Sequence, residues 1–192
     1  MNKGFTLIEI IVVIGILSII GVIVLTIFSR TLKGNNKAQI LSSIKQNGQG
    51  ALENIDKNIR NADNLVCSSP SNTTVVVKNG IYTRFRFIIS DINNNGSIVT
   101  DNPTPQILDT TPQLFVNRVC NPTDPMNSAT ILTDTNPQTG VSLVSGSFST
   151  SKLAGFKDAV TVSFVLASGV KAPSAISGEI DTVTFETTIQ LR

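Results

Sequence analysis

The sequence predicts an α+β protein: a long N-terminal helix, membrane-spanning in its first half and amphipathic in its second, packed on an antiparallel β-sheet head. Three observations carry this expectation. Residues Phe5 to Phe28 form an apolar run with a single charge, Glu9. From Leu41 to Val66 apolar residues return every third or fourth position, the repeat of one helix face. From Ser68 onward the repeat shortens to two, the mark of half-buried strands.

Composition narrows what such a fold can do. Of 192 residues 15% are charged and 5% aromatic, with no Trp. The chain contains no His, which removes every catalytic or metal-binding arrangement built on imidazole. Its two Cys are too few for an all-cysteine zinc site. A net charge of +2 gives no reason to infer a nucleic-acid partner.

The apolar run comes first. At a rise of ~1.5 Å per residue it spans roughly 36 Å, enough for a hydrocarbon core about 30 Å thick. A secretory signal has a shorter apolar region and a small-residue cleavage site, which Ser29-Arg30-Thr31 does not supply. An all-round apolar helix of this length also exceeds what one small domain can cover.

The N-terminal edge of the run reads Met1-Asn2-Lys3-Gly4-Phe5-Thr6-Leu7-Ile8-Glu9: a basic leader, a glycine, then Phe5 and Glu9. This resembles the processing site of the type IV prepilin and pseudopilin family. The resemblance implies that a membrane-embedded prepilin peptidase cuts after Gly4 and methylates the new amino terminus at Phe5. A glycine at the cut lets the chain lie close to the peptidase, since no Cβ intervenes. The implied organisation is a leader at 1–4, a transmembrane and filament-core helix at 5–28, an amphipathic helix at 29–66 and an extracytoplasmic β-rich head at 67–192. The implied partners are the membrane, the peptidase, other pilin or pseudopilin subunits and an inner-membrane assembly platform. The implied location is a single pass through the cytoplasmic membrane with the head outside, then a cell-surface or periplasmic filament.

Glu9 carries the most weight. A carboxylate inside a bilayer costs roughly 2.5–3.5 kcal/mol or more, so its presence asks for a function. In the family this glutamate pairs with the methylated amine of a neighbouring subunit. Taken alone, an acid so near the start of the run also suits the headgroup interface. Two features depart from the family. Thr26 stands where many pilins carry a proline, so no kink is expected there. Arg30, Lys33 and Lys37 on the outer side outnumber Lys3 inside, against the positive-inside tendency.

The amphipathic segment places Leu41, Ile44, Gly48, Leu52, Ile55, Ile59, Ala62 and Val66 on one face and Lys45, Glu53, Asp56 and Arg60 on the other. Gly34-Asn35-Asn36, Gly48 and Gly50 predict one or two breaks, each glycine costing up to ~1 kcal/mol relative to Ala. Asn79-Gly80 between two alternating runs predicts a hairpin, Thr74–Lys78 with Ile81–Ile89. On that second strand Arg84 and Arg86 alternate with Phe85 and Phe87 and are expected on a solvated face. Residues 93–139, rich in Asn, Asp, Thr and Pro, read as loops around short strands at Gln113–Val119 and Ala129–Leu132. Alternation returns at Val160–Leu166 and Val183–Leu191. The order of elements, with Asn58-Ile59-Arg60-Asn61-Ala62 ending the helix and a strand closing the chain, is loosely similar to the larger minor-pilin branch.

Two further features invite chemistry. Asp91, Asn93, Asn95 and Gly96 match the first positions of a calcium-binding loop, but Asn102 stands where its bidentate acid belongs. An Asn-Gly turn between strands accounts for the same residues. Cys67 and Cys120 are expected to form a disulfide if the head lies outside the cytoplasm, the alternative being two buried thiols. Three function classes remain: a filament subunit, an anchored binding module that does not polymerise, and an anchored hydrolase. The module gives no reason for Gly4, Phe5 and Glu9 together, and the hydrolase lacks a nucleophile motif. The expected cofactor is none, with calcium held open.

Overall fold

The computed structural model describes residues 6–69, 72–126, 128–152, 155–172 and 182–192. The chain divides into two units, Met1–Gln39 and Ile40–Arg192, and helix α1 (Leu7–Arg60) has residues in both.

In the first unit α1 is apolar on every side from Ile10 to Phe28, with Ile16, Leu25 and Phe28 all more than half exposed. By length and composition the helix is able to cross a membrane. Three of its hydroxyls bond back to the helix: Ser18 Oγ donates to Ile14 O at 2.8 Å, Thr26 Oγ1 to Val22 O at 2.8 Å and Thr31 Oγ1 to Ile27 O at 3.0 Å. Such back-bonding is what a polar side chain needs where no water is available. The breaks expected at Gly34-Asn35-Asn36, Gly48 and Gly50 do not occur, because α1 is continuous over 54 residues. Scattered glycine penalties are small beside the cost of nucleating a new helix after each interruption.

In the second unit α1 buries Ile44, Gly48, Ala51, Ile55 and Ile59, the three-and-four step read from the sequence. The helix ends at Arg60, short of the expected Val66, which belongs instead to strand β1 (Asn64–Ser69). The stop is local. Asn61 Nδ2 donates to Lys57 O at 2.8 Å and Ala62 N to Ile59 O at 3.1 Å, satisfying carbonyls the helix leaves open.

The remaining strands form two antiparallel sheets rather than one. The first, in the order β1-β2-β3-β4-β5, adds β2 (Thr73–Lys78), β3 (Ile81–Ile88), β4 (Ser97–Asp101) and β5 (Thr130–Ile131). The second is β6 (Val141–Ser151), β7 (Ala159–Ser168) and β8 (Val183–Gln190). The hairpin between β2 and β3 is as read, with Asn79 at φ 48° and Gly80 at φ 79°, the left-handed pair a two-residue turn requires.

The main core lies where α1, the first sheet and the second sheet meet. Phe87 of β3 stacks on Phe148 of β6 at 4.3 Å between centroids, and Phe164 of β7 stacks on Phe185 of β8 at 5.1 Å. Two glycines admit these rings. A Cβ at Gly48 would overlap the Phe185 ring, and one at Gly146 would sit 2.7 Å from Phe87 Cγ.

The other face of the first sheet is also covered, which overturns two expectations. Residues Pro112–Val119 form helix α2, not a strand. Thr111 caps it, its hydroxyl accepting from Leu114 N at 3.3 Å, Pro112 occupies a first-turn position, and Phe115 and Val119 turn inward. These two residues pack on Val75, with Tyr82 edge-on to Phe115 at 4.7 Å. The disulfide Cys67–Cys120 joins the end of α2 to β1, with 6.1 Å between Cα atoms.

Arg84 and Arg86, expected in solvent, are buried beneath this layer at 1% and 8% exposure. Arg84 grips both oxygens of Asp101 and reaches Asp124 Oδ2 at 2.6 Å. Arg86 donates to Thr73 Oγ1 and to the carbonyls of Asp124 and Asn121. Arg118 of α2 completes the network through Asp109 at 2.7 Å and Asp124 at 3.3 Å. Burial pulls the Arg84 guanidinium down, but its bonds to Asp101 and Asp124 outweigh that and leave it raised. Burial, then repulsion from Arg84, lowers Arg86. β3 alternates apolar and polar residues because each face meets a different covering layer, not because one face meets water.

Candidate functional site

Of the predicted N-terminal residues, Gly4 and Phe5 lie outside the described residues, and the description begins at Thr6. Thr6 stands ahead of α1 and its hydroxyl accepts the Glu9 backbone N–H at 3.4 Å. Thr6-Leu7-Ile8-Glu9 therefore has the spacing of a capping box, a signal present in the sequence but not read there. Glu9 is the acid of the first turn, where the helix dipole favours negative charge. Its side chain is exposed, and the neighbouring Leu7, Ile8, Ile10, Val12 and Val13 are exposed and apolar. Among the described residues no hydrogen bond or ion pair holds the Glu9 carboxylate. A carboxyl group is thus presented from the wall of an apolar helix within one turn of its start.

Comparison with known families reaches this same segment. Residues 1–28 match the family model described as the prokaryotic N-terminal methylation motif. The chain carries the type IV pilin and pseudopilin signature. That signature marks a structural family, and with the apolar helix it fits a membrane-anchored, pilin-like protein. It implies prepilin peptidase processing and assembly with other pilin subunits in a membrane system. No curated protein and no solved structure matches the chain.

The other predicted site, at Asp91, Asn93 and Asn95, forms part of a turn. Asp91 Oδ1 accepts the backbone N–H groups of Asn93 and Asn94, both at 2.7 Å. The Asn94 side chain, then these two amides, hold the Asp91 carboxyl below the usual range. Asn95 faces other partners: its Nδ2 donates to Asn136 O and its Oδ1 accepts from Val170 N, each at 2.8 Å. The structure therefore directs Asp91 and Asn95 to different neighbours. Among the described residues no group of three or more His, Cys, Asp or Glu is placed to hold a metal.

Sequence reading missed the Arg84–Asp101–Asp124–Arg118–Asp109 network as a unit. The available signal was the charge inventory: residues 84–124 hold three arginines, Arg84, Arg86 and Arg118, and four aspartates, Asp91, Asp101, Asp109 and Asp124, enough acids to partner every cation. With both arginines held by carboxylates or carbonyls, the network is arranged to fix α2, not to receive an anion.

Proposed function

We propose that this chain is a structural subunit, a minor pilin or pseudopilin, of a type IV pilus-like or type II secretion-like filament. Cleavage after Gly4 frees Phe5 for methylation. The apolar part of α1 holds the chain in the cytoplasmic membrane, with the head outside, and then becomes filament core. The observation that carries this reading is Glu9, an acid on an exposed apolar helix wall within the matched N-terminal methylation motif. A helix left in lipid gains nothing from that acid. A helix packed among others gains a partner for the amine of the next Phe5.

The capping-box spacing of Thr6 and Glu9 sharpens the test. Glu9→Gln keeps the reach of a capping-box side chain but removes the charge, whereas Glu9→Val removes both. Peptidase cleavage, membrane fractionation and recovery in sheared filaments are then scored for each. Both variants should be cleaved at Gly4, start at Phe5 by mass spectrometry and stay in the membrane. Both should be lost from filaments. Normal incorporation of Glu9→Gln would show that the charge of Glu9 is not needed for assembly. An intact Met1, or a cut near Arg30, would overturn the assignment.

A further inference from the structure

Three Asn-Gly pairs occur in the chain: Asn47-Gly48, Asn79-Gly80 and Asn95-Gly96. Such pairs are chemically labile, because glycine leaves its own nitrogen unhindered for attack on the preceding carboxamide. The fold treats the three very differently. Asn47 lies inside α1, its Nδ2 donating to Ser43 O at 3.0 Å and its Oδ1 accepting from Asp134 N at 2.8 Å. The Gly48 N–H belongs to the ladder of the same helix. Asn95 has both ends of its carboxamide bonded, to Asn136 and Val170, and the Gly96 N–H is held by Ser142 Oγ at 3.1 Å. At these two pairs electrophile and nucleophile are both committed.

Asn79-Gly80 is the reverse. It forms the exposed tip of the β2–β3 hairpin. Among the described residues its carboxamide makes no hydrogen bond and the Gly80 N–H donates none. Lys57 and Lys78 line the cavity of about 270 Å³ beside Asn79, and their positive charge favours an anionic intermediate there.

We propose that Asn79 is a site of spontaneous deamidation, the one of the three at which the folded head permits the reaction. The Gly80 nitrogen attacks Asn79 Cγ and gives its proton to water, and ammonia leaves to form a succinimide. Water then opens the ring at either carbonyl, giving aspartate or isoaspartate at position 79. The balance is one water taken up and one ammonia released, with no oxidant or reductant. The turn must open for the attack, and a hairpin tip is where local opening costs least.

The product alters a joint. Asp63 Oδ2 accepts the Asn79 backbone N–H at 2.7 Å, tying the hairpin to the chain just beyond α1. A new carboxylate stands next to that acid. The isoaspartate form also adds a backbone atom to a turn that fits two residues. Deamidation therefore loosens the hairpin from the helix end and shifts the head's surface charge with age.

The test holds the full-length chain in detergent micelles at mildly alkaline pH and samples it over days. Pepsin digestion in acid, which halts further reaction, precedes mass spectrometry of the three Asn-Gly peptides. In the folded chain the Asn79 peptide should convert at least about tenfold faster than the Asn47 and Asn95 peptides, following the difference in local opening. Reduced and unfolded in urea, the chain should convert at all three. Asn79→Gly, which keeps the left-handed turn, should abolish the acidic isoform on isoelectric focusing. Asn79 surviving in the folded chain while the unfolded chain reacts would overturn the proposal. So would equal conversion at Asn95 or Asn47.

Discussion

Arg84 and Asp101 form a two-pronged ion pair, Nε to Oδ1 at 2.8 Å and Nη2 to Oδ2 at 2.6 Å, with side-chain exposures of 1% and 2%. The pair faces across adjacent strands, where register sets Arg84 opposite Asp101. A third group, Asp124, arrives from the segment after α2, so one guanidinium joins the sheet to its covering layer. Removing only the cation leaves two buried carboxylates. Arg84→Met should destabilise the chain by about 3–5 kcal/mol in urea unfolding. Arg84→Met with Asp101→Leu should recover part of that loss. An unchanged midpoint for the single variant would show that the pair carries no structural load.

Gly48 and Gly50 sit two positions apart on α1 and should respond oppositely to the same change. Gly50 has open space where a Cβ would project, so Gly50→Ala should stabilise by up to ~1 kcal/mol through helix propensity. At Gly48 the new methyl meets the Phe185 ring, and overpacking of this kind costs about 1–3 kcal/mol. The clash exceeds the propensity gain, so Gly48→Ala should lower the melting temperature. Adding Phe185→Leu should restore it.

Acid should loosen the α2 layer. The Arg118 side chain, then the Gln106 N–H, hold the Asp109 carboxyl below its usual value. A depressed native value means that the contribution is complete above the unfolded value near 3.9, and is lost as pH falls through the native one. Melting temperatures taken down through that window should fall more for the wild type than for Arg118→Gln, which lacks the interaction. Parallel curves would show that Asp109 does not set the acid response.

Calcium should have little to bind at Asp91. Its Oδ1 faces the amides of Asn93 and Asn94, and Asn95 is occupied with Asn136 and Val170. Melting curves in millimolar calcium and in chelator should coincide, whereas Asp91→Ala should melt lower through loss of the turn. A calcium-dependent rise that Asp91→Ala removes would restore the cation site.

Much of this protein is legible in its sequence because the forces involved are local. The run from Phe5 to Phe28 is apolar without regard to any partner. The processing motif is contiguous. The step from Ile44 to Ile59 needs only helix geometry, and Asn79-Gly80 needs only the two left-handed conformations of its turn. The helix at Pro112 was also local, since Thr111, Pro112, Phe115 and Val119 carry its cap and its buried stripe. There the loop-like composition of the surrounding segment outweighed those signals in the sequence reading.

Other features were decided only in three dimensions. Alternation along β3 says that two faces differ, but not what lies against either, so Arg84 read as solvated until α2 was seen to cover it. Burying that guanidinium is tolerable only because Asp101 comes from the adjoining strand and Asp124 from beyond α2, groups brought together by folding alone. The same holds for Gly48. In the sequence it is a weak point in a helix, a property of its own backbone. In the fold its missing side chain is the space that Phe185 enters, and that requirement comes from a strand at the other end of the chain. By itself the sequence determined where the chain is apolar and where it turns. Tertiary structure decided which charges could leave water, because that depends on what each one meets there.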